Sequence, residues 1–421
     1  MGGHNRYICV WVVQTRNERS FANKGAIGMR ILIHSDEYYP TCAACAYRMK
    51  VFADTFAQLG HDVTVIASST NKENGVMQSC RERIIFSPAI KMKKKTTVMR
   101  MLNNLSFAFT SVFTALKAGK ADVVITTSPP PLVSISGWLI AKMKGAKLVY
   151  DVRDIWPDVA LEMNSFSENS LFCKVFRWIT NFMYRHSDLV TTVSPGKVEK
   201  IRGKLPETMR EKVHLVGNGF DESILEQAVD LDVLSKYSLN DKFTCVYIGN
   251  VGLAQGLDVL LDVASQTKHH DVQFLIFGTG AERDILEQRV EKENIKNVKF
   301  CGVIPHEKVL TVLQAAQISF IPLKSSKMKD SIPTKVYEAL GIGCPVLLVA
   351  DGDACDIVEE CGLGCCVSPD TPHILTHVFD EMVDHYDSFV QKKESAIHLI
   401  KHKYSRQAIA KAFEEDLKRI V

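Results

Sequence analysis

The chain alternates short apolar segments with longer segments in which apolar residues recur every three or four positions. Met29 opens the apolar run MRILIHS, which is followed by the amphipathic segment AYRMKVFADTFAQLG and a second run, DVTVIAS. Such alternation predicts parallel strands covered by helices on both faces. The runs ADVVITTS, AKLVYDV and DLVTTVS, with helices through Trp138 and over KVFRWITNFMYRHS, continue the pattern. Residues 29–217 are therefore predicted to form one doubly wound domain.

The same alternation starts afresh in the second half. The predicted strands are FTCVYIGN, VQFLIFGTG, VKFCGVI, ISFIPLK and PVLLVA, and helices are predicted to start near Gly256, Ala281, His306, Pro333 and Asp353. The preceding segment VHLVGNGFDESILEQAVDL is polar and is interpreted as a crossover between domains. Residues 218–395 are predicted to be a second Rossmann-like domain, and residues 396–421 a terminal helix that packs back across both. Two doubly wound α/β domains predict a cleft with ligands at the carboxyl ends of the strands.

Composition narrows the class of protein. The 421 residues are 46% hydrophobic and 24% charged, which is typical of a globular protein with a sizeable core. The formal net charge of +3 gives no general signal for nucleic-acid binding, so any basic surface must be local. Apolar runs are too short or too interrupted by proline and lysine to span a bilayer. Residues 1–28 fit no clear pattern and are interpreted as an N-terminal extension.

The cysteines indicate reduced thiols in a cytosolic protein. Twelve are scattered irregularly, several within apolar runs such as FTCVYIGN and GLGCCVSP. The pair Cys42 and Cys45 forms a lone C-x-x-C without a second pair at zinc spacing, so small buried residues explain it better than a metal site.

One loop has the features of an anion site. In VYIGNVGLAQGLDVLLDVASQ, Gly249, Gly252 and Gly256 lie between a strand and a helix. Backbone N–H groups and the helix dipole at such a turn favour a phosphate, and glycine permits its close approach. The spacing does not match the dinucleotide fingerprint, so an ordinary strand-to-helix turn remains an alternative.

A second segment, DSIPTKVYEALGIG, carries candidate side chains for the same ligand. Pro333 suits the first turn of a helix. Lys335 and Glu338 are three residues apart and so project from one face of that helix. A cation beside exposed N–H groups suits a diphosphate, and a carboxylate one turn deeper can accept hydrogen bonds from ribose hydroxyls.

Together these pieces resemble the GT-B glycosyltransferases of the large retaining family 4, and within it the O-antigen L-fucosamine transferases. The paired-acid motif E-x7-E of that family corresponds here to Asp330-x7-Glu338, followed by EALGIGCPVLLV. The other matching segments are ILIHSDEYYP, LGHDVTVIAS, YDVRDIWPDVA, VGNGFD, YIGNVGLAQGLDVLL and FGTGAERDILE. They run in the family's order over nearly the whole chain from Met29.

The resemblance implies roles for individual residues. Glu338 would bind the donor's ribose, Asp330 and the backbone after it would face the donor sugar, and the loop FGTGAER with the turn at Val303 would hold the nucleobase. The resulting donor-binding set is Gly249, Asn250, Gly252, Gln255, Gly278, Arg283, Val303, Ser331, Thr334, Lys335 and Glu338. The catalytic set is Arg153, Asp154, Asp330 and Lys335.

The sequence departs from the family at several of these positions. Asn250 and Gln255 stand where an Arg and a Lys commonly contact the diphosphate, so the charge must come from elsewhere, and Lys335 and then Arg283 are the candidates. Cys42 and Ala43 replace a Gly-Gly pair on the acceptor side. Arg153 takes the place of a common histidine, with Asp154 and Trp156 beside it. A strand-end ion pair with a packed tryptophan is the structural alternative for those last residues, and His34 is a weaker candidate for the cleft.

The resemblance also implies partners. These are a nucleotide-sugar donor and a polyprenyl-diphosphate-linked saccharide acceptor, used at the inner face of the cytoplasmic membrane. No D-x-D string follows a strand of the first domain, so no metal or other cofactor is expected. The basic and apolar segment 91–113, KMKKKTTVMRMLNNLSFAFTSVF, is predicted to touch an anionic membrane surface. An amphipathic helix packed on its own domain remains the alternative for this segment.

Three other functions are considered. A sugar-nucleotide epimerase of the same architecture would turn over donor without acceptor. A non-catalytic nucleotide-sugar-binding partner would bind donor without turnover. A nicotinamide-dependent dehydrogenase is disfavoured because neither glycine loop carries its fingerprint.

Overall fold

The computed structural model describes residues 28–41, 44–70, 81–92, 97–162 and 167–421. The predicted extension, apart from residue 28, lies outside this part, as do Cys42, Ala43 and the lysines at 93–95 of the predicted membrane segment. The chain forms two compact units. Unit 1 comprises Met1–Val193, Lys197–Gly217 and Ile409–Val421, and unit 2 comprises Ser194–Gly196 and Asn218–Ala408.

Unit 1 is built on a parallel sheet of seven strands in the order β3-β2-β1-β4-β5-β6-β7. The strands are β1 (Arg30–His34), β2 (Asp62–Ser68), β3 (Arg83–Ser87), β4 (Val123–Ser128), β5 (Lys147–Val152), β6 (Leu189–Thr192) and β7 (Val213–Leu215). The helices that begin before Asn218 are α1 (Ala44–Gln58), α2 (Thr97–Ala115), α3 (Pro131–Lys144), α4 (Asp158–Glu162), α5 (Leu171–His186) and α6 (Pro195–Gly203).

Each face of this sheet has its own apolar core. Leu32 of β1 points to a cluster that includes Phe107 of α2, Val133 and Ile140 of α3, and Met183 of α5. Ile31 and Ile33, the neighbours of Leu32, point to the opposite cluster with Phe52 of α1. Alternating side chains of a strand lie on opposite faces of a sheet, so a fully apolar strand such as RILIH indicates that both faces are covered.

Unit 2 has a parallel sheet of six strands in the order β10-β9-β8-β11-β12-β13, the doubly wound Rossmann order. Its strands are β8 (Thr244–Ile248), β9 (Gln273–Phe277), β10 (Val298–Gly302), β11 (Ile318–Pro322), β12 (Val346–Val349) and β13 (Gly364–Val367). Its helices are α7 (Leu231–Lys236), α8 (Asp258–Gln266), α9 (Arg283–Lys292), α10 (Val309–Ala315), α11 (Thr334–Ile342), α12 (Asp353–Cys361), α13 (Leu375–Asp384), α14 (Tyr386–Val390) and α15 (Lys393–Lys403).

The end of the chain differs from the prediction. Instead of one helix over 396–421, the structure has α15 and then α16 (Arg406–Ile420), separated at Tyr404 and Ser405. Ser405 forms an isolated bridge with Phe220, which interrupts the helical hydrogen bonding. Beyond Ala408 the chain belongs to unit 1, where Phe413 and Leu417 join the core that contains Phe52.

The predicted fold class, two Rossmann-like doubly wound α/β domains, is confirmed. Three strands, β3, β7 and β13, were not predicted. All three lie at a sheet edge. Strands β7 and β13 are short and only partly buried, so their apolar pattern is weak, whereas β3 is buried at four of its five residues. No helix in the described ranges is both long and apolar enough to cross a bilayer.

Candidate functional site

In unit 2 the strand order reverses next to β8, which has β9 on one side and β11 on the other. Loops that follow these strands meet at the carboxyl edge of the sheet. Lys324, after β11, donates its N–H to the carbonyl of Ala254, after β8, at 3.0 Å. Doubly wound sheets bind ligands at the carboxyl ends of the strands where the strand order reverses.

The loop after β8, residues 249–256 (the glycine loop), packs directly on the loop after β9. A Cβ on Gly278 would lie 1.8 Å from the carbonyl oxygen of Gly249, and a Cβ on Gly280 would lie 2.1 Å from that of Val251. The two glycines are therefore required by backbone contact. The N–H groups of Gly249 and Val251 donate to Phe277 and Thr279, so these two donors are not available to a ligand. Those of Gly252, Leu253 and Gly256 have no acceptor in the described part of the chain.

Lys335 supplies the positive charge of this loop. A Cβ on Gly249 would lie 2.6 Å from the Lys335 ammonium nitrogen, so the ammonium occupies the space that glycine leaves open. The same nitrogen lies 4.1 Å from the centre of the Tyr247 ring, a cation–π distance. Tyr247 is buried and donates its hydroxyl to the carbonyl of Asn250 at 2.5 Å, which fixes its ring beneath the loop.

The position of Lys335 follows from the start of α11. Pro333 is the N-cap residue of this helix rather than a residue of its first turn, and Thr334 and Lys335 are its first two residues. Burial lowers the pKa of the Lys335 ammonium to about 8, and the nearby Glu338 carboxylate opposes that shift. Lys335 and Glu338 therefore lie on one face of the helix at the glycine loop.

Asn250 and Gln255, the residues that replace the family's Arg and Lys, face each other. The Asn250 amide nitrogen donates to the Gln255 side-chain oxygen at 3.3 Å. A Cβ on Gly252 would come within 2.4 Å of that nitrogen and 3.0 Å of that oxygen. The two amides thus close over Gly252 as a neutral pair.

Asp330 and its neighbours lie in the loop between β11 and α11. The Asp330 side chain is buried, and its carbonyl accepts a hydrogen bond from the Ser194 hydroxyl at 2.6 Å. Gly196 packs against it, because a Cβ there would lie 2.9 Å from the Asp330 Cβ. Ser331 and Thr334 are partly exposed. The predicted contact between Asp330 and the donor sugar remains a prediction.

Arg283 and Val303 lie at the neighbouring strands. The Arg283 guanidinium pairs with Glu287 one turn along α9 at 2.7 Å, so its charge is already engaged. It is also one of the cations near the Cys301 thiol at the end of β10. Gly302 accepts the N–H of Gly278 at 2.8 Å, and Val303 beside it is 72% exposed. These residues therefore border the loop that the resemblance assigns to the nucleobase.

In unit 1 the candidate Arg153 follows β5 and ends a buried polar network. Its guanidinium donates to the Thr127 hydroxyl at 3.2 Å and to the Pro129 carbonyl at 2.7 Å. Thr127 in turn donates to the Asp151 carboxylate at 3.1 Å. Asp151 is fully buried and is paired with Arg48 at 3.0 Å. This network fixes Arg153 at the carboxyl edge of the sheet.

Asp36 is a candidate that sequence reasoning missed. It follows β1 at the same edge, and burial raises the pKa of its carboxyl to about 7, with Glu37 adding to the shift and Arg153 opposing it. The available signal was its place, because a carboxylate directly after the first strand of a doubly wound sheet faces the ligand edge. A carboxyl with such a pKa can exchange a proton near neutrality.

Asp154 and Trp156 fit the structural alternative better than direct ligand contact. The Asp154 carboxylate lies 3.7 Å from the Lys197 ammonium. Trp156 packs against the rings of Phe172 and Phe176, with ring centres 6.2 and 5.8 Å away. Asp154 and Trp156 therefore match the structural alternative given by the sequence, an ion pair at the strand end and a packed tryptophan.

His34 is a core residue. It is fully buried, and its two ring nitrogens lie 3.1 Å from the Thr126 hydroxyl and 3.0 Å from the Ser111 hydroxyl. Burial lowers the pKa of its imidazole to about 3. The ring is thus neutral and fully partnered, which suits a structural role.

Two models of known families match this chain. Residues 45–219 match the model of the glycosyl transferase 4-like domain, and residues 235–401 match the model of the glycosyl transferases group 1. WcaI of Escherichia coli K12, which is named as a colanic acid biosynthesis glycosyl transferase, is 23% identical over 82% of this chain and 90% of its own length.

Solved structures show the same fold at low sequence identity. Sucrose-phosphate synthase from Thermosynechococcus elongatus superposes with a TM-score of 0.78 at 17% identity, covering 93% of this chain and 99% of that one. Anabaena HepE in complex with UDP and glucose gives a TM-score of 0.71 at 15% identity, covering 93% and 100%.

Proposed function

Because the chain is a glycosyltransferase of the GT-B fold, with units that match the 4-like and group 1 glycosyltransferase domains, we propose that it is a retaining enzyme of surface polysaccharide biosynthesis. It moves a sugar from a nucleotide sugar to a lipid-linked saccharide, on a polyprenyl diphosphate in O-antigen or capsule assembly. The donor is UDP-linked and carries an N-acetylhexosamine or a deoxyhexosamine, as expected for an enzyme similar to the L-fucosamine transferases.

The observation that carries this proposal is the Lys335 ammonium above Gly249. Negative charge builds on the departing diphosphate as the bond from the anomeric carbon to the phosphate oxygen breaks. A preorganised cation and the N–H groups of Gly252, Leu253 and Gly256 stabilise that charge without a metal ion. The acceptor hydroxyl then bonds to the anomeric carbon on the face that the phosphate leaves, and its proton passes to the departing phosphate oxygen.

Other residues position the donor. Glu338 binds the ribose, the loops at Gly278 and Val303 hold the nucleobase, and the buried Asp330 shapes the donor-sugar end of the loop before α11. The Asn250 and Gln255 amides offer neutral hydrogen bonds in place of the family's cations, so the charge beside Gly249 comes from Lys335. On the acceptor side, Arg153 and Asp36 contact the sugar that receives the transfer.

Two likenesses support the choice of donor and pathway. The Anabaena HepE structure, which shares the fold, is described with UDP and glucose. WcaI is named for colanic acid biosynthesis. A lipid-linked acceptor further implies work at the cytoplasmic face of the membrane as a peripheral protein.

A donor screen with the purified protein tests the proposal. Release of nucleoside diphosphate would be followed with a short polyprenyl-diphosphate saccharide, with and without EDTA. We expect acceptor-dependent release that survives EDTA and falls at least about a hundredfold in Lys335→Ala, in line with the loss of one preorganised oxyanion donor. Release without acceptor would instead indicate an epimerase or hydrolase, and binding without turnover would indicate a non-catalytic partner.

A glycine substitution separates the position of Lys335 from its charge. In Gly249→Ala the new methyl group meets the ammonium at 2.6 Å and displaces it, while the lysine itself is kept. We expect the KM for the donor to rise and kcat to fall by about tenfold or more. Gly60→Ala is the matched control, because Gly60 also has a positive φ, +91°, but its Cβ would meet nothing within 4 Å. Equal activity of the two variants would contradict the assignment.

A further inference from the structure

Helix α2 is amphipathic in the reverse sense. Its inward face buries polar side chains, Asn103, Ser111 and Thr114, together with Phe107. Its outward face exposes large apolar side chains at helical spacing, namely Val98, Met101, Leu102, Leu105, Phe109 and Phe113. A helix at the surface of a globular protein ordinarily does the opposite.

The inward polar residues are well partnered, so this orientation is specified. The Ser111 hydroxyl lies 3.0 Å from the His34 ring, and the Thr114 hydroxyl donates to the Ser87 hydroxyl at 3.0 Å. Asn103 donates to the carbonyl of Ile90 at 2.6 Å. Rotating the helix to bury its apolar stripe would break these hydrogen bonds, so the stripe must stay outside.

The two neighbouring helices extend the apolar surface. Helix α2 packs on α3, and α3 packs on α5. Helix α3 exposes Leu139 and Met143, while α5 exposes Leu171, Val175 and Trp178. The Trp178 ring is 64% exposed and stacks on Phe182, with ring centres 5.7 Å apart. We call the exposed surface of α2, α3 and α5 the basic apolar face.

The charges that these three helices carry are all positive, and the Glu168 carboxylate, which lies just before α5, pairs with Arg177 at 3.2 Å. None of the three helices contains an aspartate or a glutamate. Arg100, Lys142, Lys174 and Arg185 on these helices are exposed, and none of them forms an ion pair within the described ranges. A surface that combines large apolar side chains with unpaired cations, on helices that themselves carry no carboxylate, is complementary to an anionic lipid headgroup layer above acyl chains.

We propose that the basic apolar face of α2, α3 and α5 is the surface on which the protein lies against an anionic bilayer, with Phe109 and Phe113 entering the headgroup region. This deepens the proposed function, on which it rests for the lipid-linked acceptor. It also relocates the predicted contact: the segment 91–113 supplies only part of it, and α3 and α5 supply the rest.

The positive charge also argues against a second copy of the chain as the partner that covers the basic apolar face. A two-fold pair would place the same patch against itself, and four unpaired cations per copy would face one another. Anionic lipid removes that repulsion, and the amphipathic ring of a tryptophan such as Trp178 suits the depth of the headgroups.

Vesicle co-sedimentation of the full chain tests the proposal. Phosphatidylcholine vesicles with and without phosphatidylglycerol would be compared for the wild type, Phe109→Ser/Phe113→Ser and Lys142→Gln/Lys174→Gln. We expect wild-type binding only when phosphatidylglycerol is present. The loss should be at least about tenfold for the phenylalanine pair, and about fivefold per lysine at low salt. High salt should erase the lysine effect but leave part of the phenylalanine effect.

Matched substitutions in unit 2 provide the controls. Leu231→Ser/Val390→Ser removes two exposed apolar side chains, and Lys292→Gln/Lys296→Gln removes two exposed lysines. Both pairs should bind vesicles as the wild type does. Equal binding by all variants, equal binding to neutral vesicles, or a dimer in solution that binds no vesicle would overturn the proposal.

A second readout keeps this test separate from the proposed function. With a water-soluble acceptor analogue, the phenylalanine and lysine variants of the basic apolar face should turn over the donor as the wild type does. With a long-chain acceptor in vesicles, the same variants should lose turnover. Vesicle binding without turnover of any donor would leave the membrane surface standing and defeat the transferase reaction. Turnover without vesicle binding would support the transferase reaction and overturn the proposed membrane surface.

Discussion

The Lys335 ammonium makes use of the donor depend on pH. Its pKa is lowered to about 8 by burial, so the ammonium is fully present below that pH and is lost as the pH rises through it. We expect log(kcat/KM) for the donor to fall above about pH 8 with a slope approaching −1. In Lys335→Arg the fall should vanish, because a guanidinium stays protonated.

The control for this profile is Lys327→Arg, because Lys327 is an exposed lysine in the loop that precedes α11. It should keep the wild-type fall in kcat/KM. A wild-type profile that stays level across this range, or a fall that persists unchanged in Lys335→Arg, would remove Lys335 from the diphosphate.

His34 should make the stability of unit 1 depend on acid. Its pKa is near 3 in the folded state, against about 6.5 when unfolded. Protons therefore bind the unfolded chain first, and the free energy of unfolding falls as the pH drops below about 6.5. Between pH 7 and pH 5 the loss should be about 2 kcal/mol, measured by urea unfolding. His34→Gln should be less stable overall but should lack this part of the pH dependence; an unchanged dependence would contradict the assignment.

At the scale of elements, the packing of α11 depends on a glycine that helix propensity alone would disfavour. A Cβ on Gly341 would lie 2.7 Å from the ring of Phe220, which is fully buried. We expect Gly341→Ala to lower the free energy of unfolding of unit 2 by about 1–3 kcal/mol, although alanine gains about 1 kcal/mol in a helix. Adding Phe220→Leu should recover part of the loss.

Gly203→Ala is the matched control for that measurement. Gly203 ends α6, and a Cβ there would meet nothing within 4 Å. Chemical denaturation should show it to be neutral or more stable than wild type. A similar loss in both variants would mean that contact with Phe220 is not the reason for glycine in α11.

How far the sequence predicts these elements depends on where each one lies. Central strands such as β1 and β8 are buried on both faces, so their continuous apolar runs were recognised. The short edge strands β7 and β13 have only partial cover and resemble loops. For helix α2 the sequence predicted a basic and apolar segment and left an amphipathic helix as the alternative. Which side faces inward follows from hydrogen bonds to His34 and Ser87, and no periodicity contains that information.

The candidate site shows a similar division. Glycine spacing and the PTK string identified the glycine loop and Lys335 separately. Their contact joins residues far apart in the sequence and needed the fold. The sequence also could not show that the N–H groups of Gly249 and Val251 already donate to Phe277 and Thr279, or that Arg283 is already paired with Glu287. Which groups of the site are already engaged depends on tertiary packing, which the sequence does not show.

At the scale of the whole molecule, the last helix belongs to the core of the first unit. The Phe413 ring lies 5.3 Å from that of Phe52 and 5.8 Å from that of Phe56. We expect Phe413→Ala to cost unit 1 about 3–5 kcal/mol. Hydrogen exchange should accelerate in peptides of α1 and β2 and remain slow in β8 and β9. Ile400→Ala, a buried residue of α15, should show the opposite pattern; exchange that rises equally in both units would contradict the division.

The position of Phe413 also sets the order in which a ribosome can finish the two units. Every residue of unit 2 has been synthesised when Ala408 is added, whereas unit 1 still lacks Ile409–Val421. The half of the chain that is made first is therefore completed last. Throughout translation Phe52 and Phe56 lack their aromatic cover, so the nascent protein presents an apolar surface on α1 that chaperones can bind until the final helix arrives.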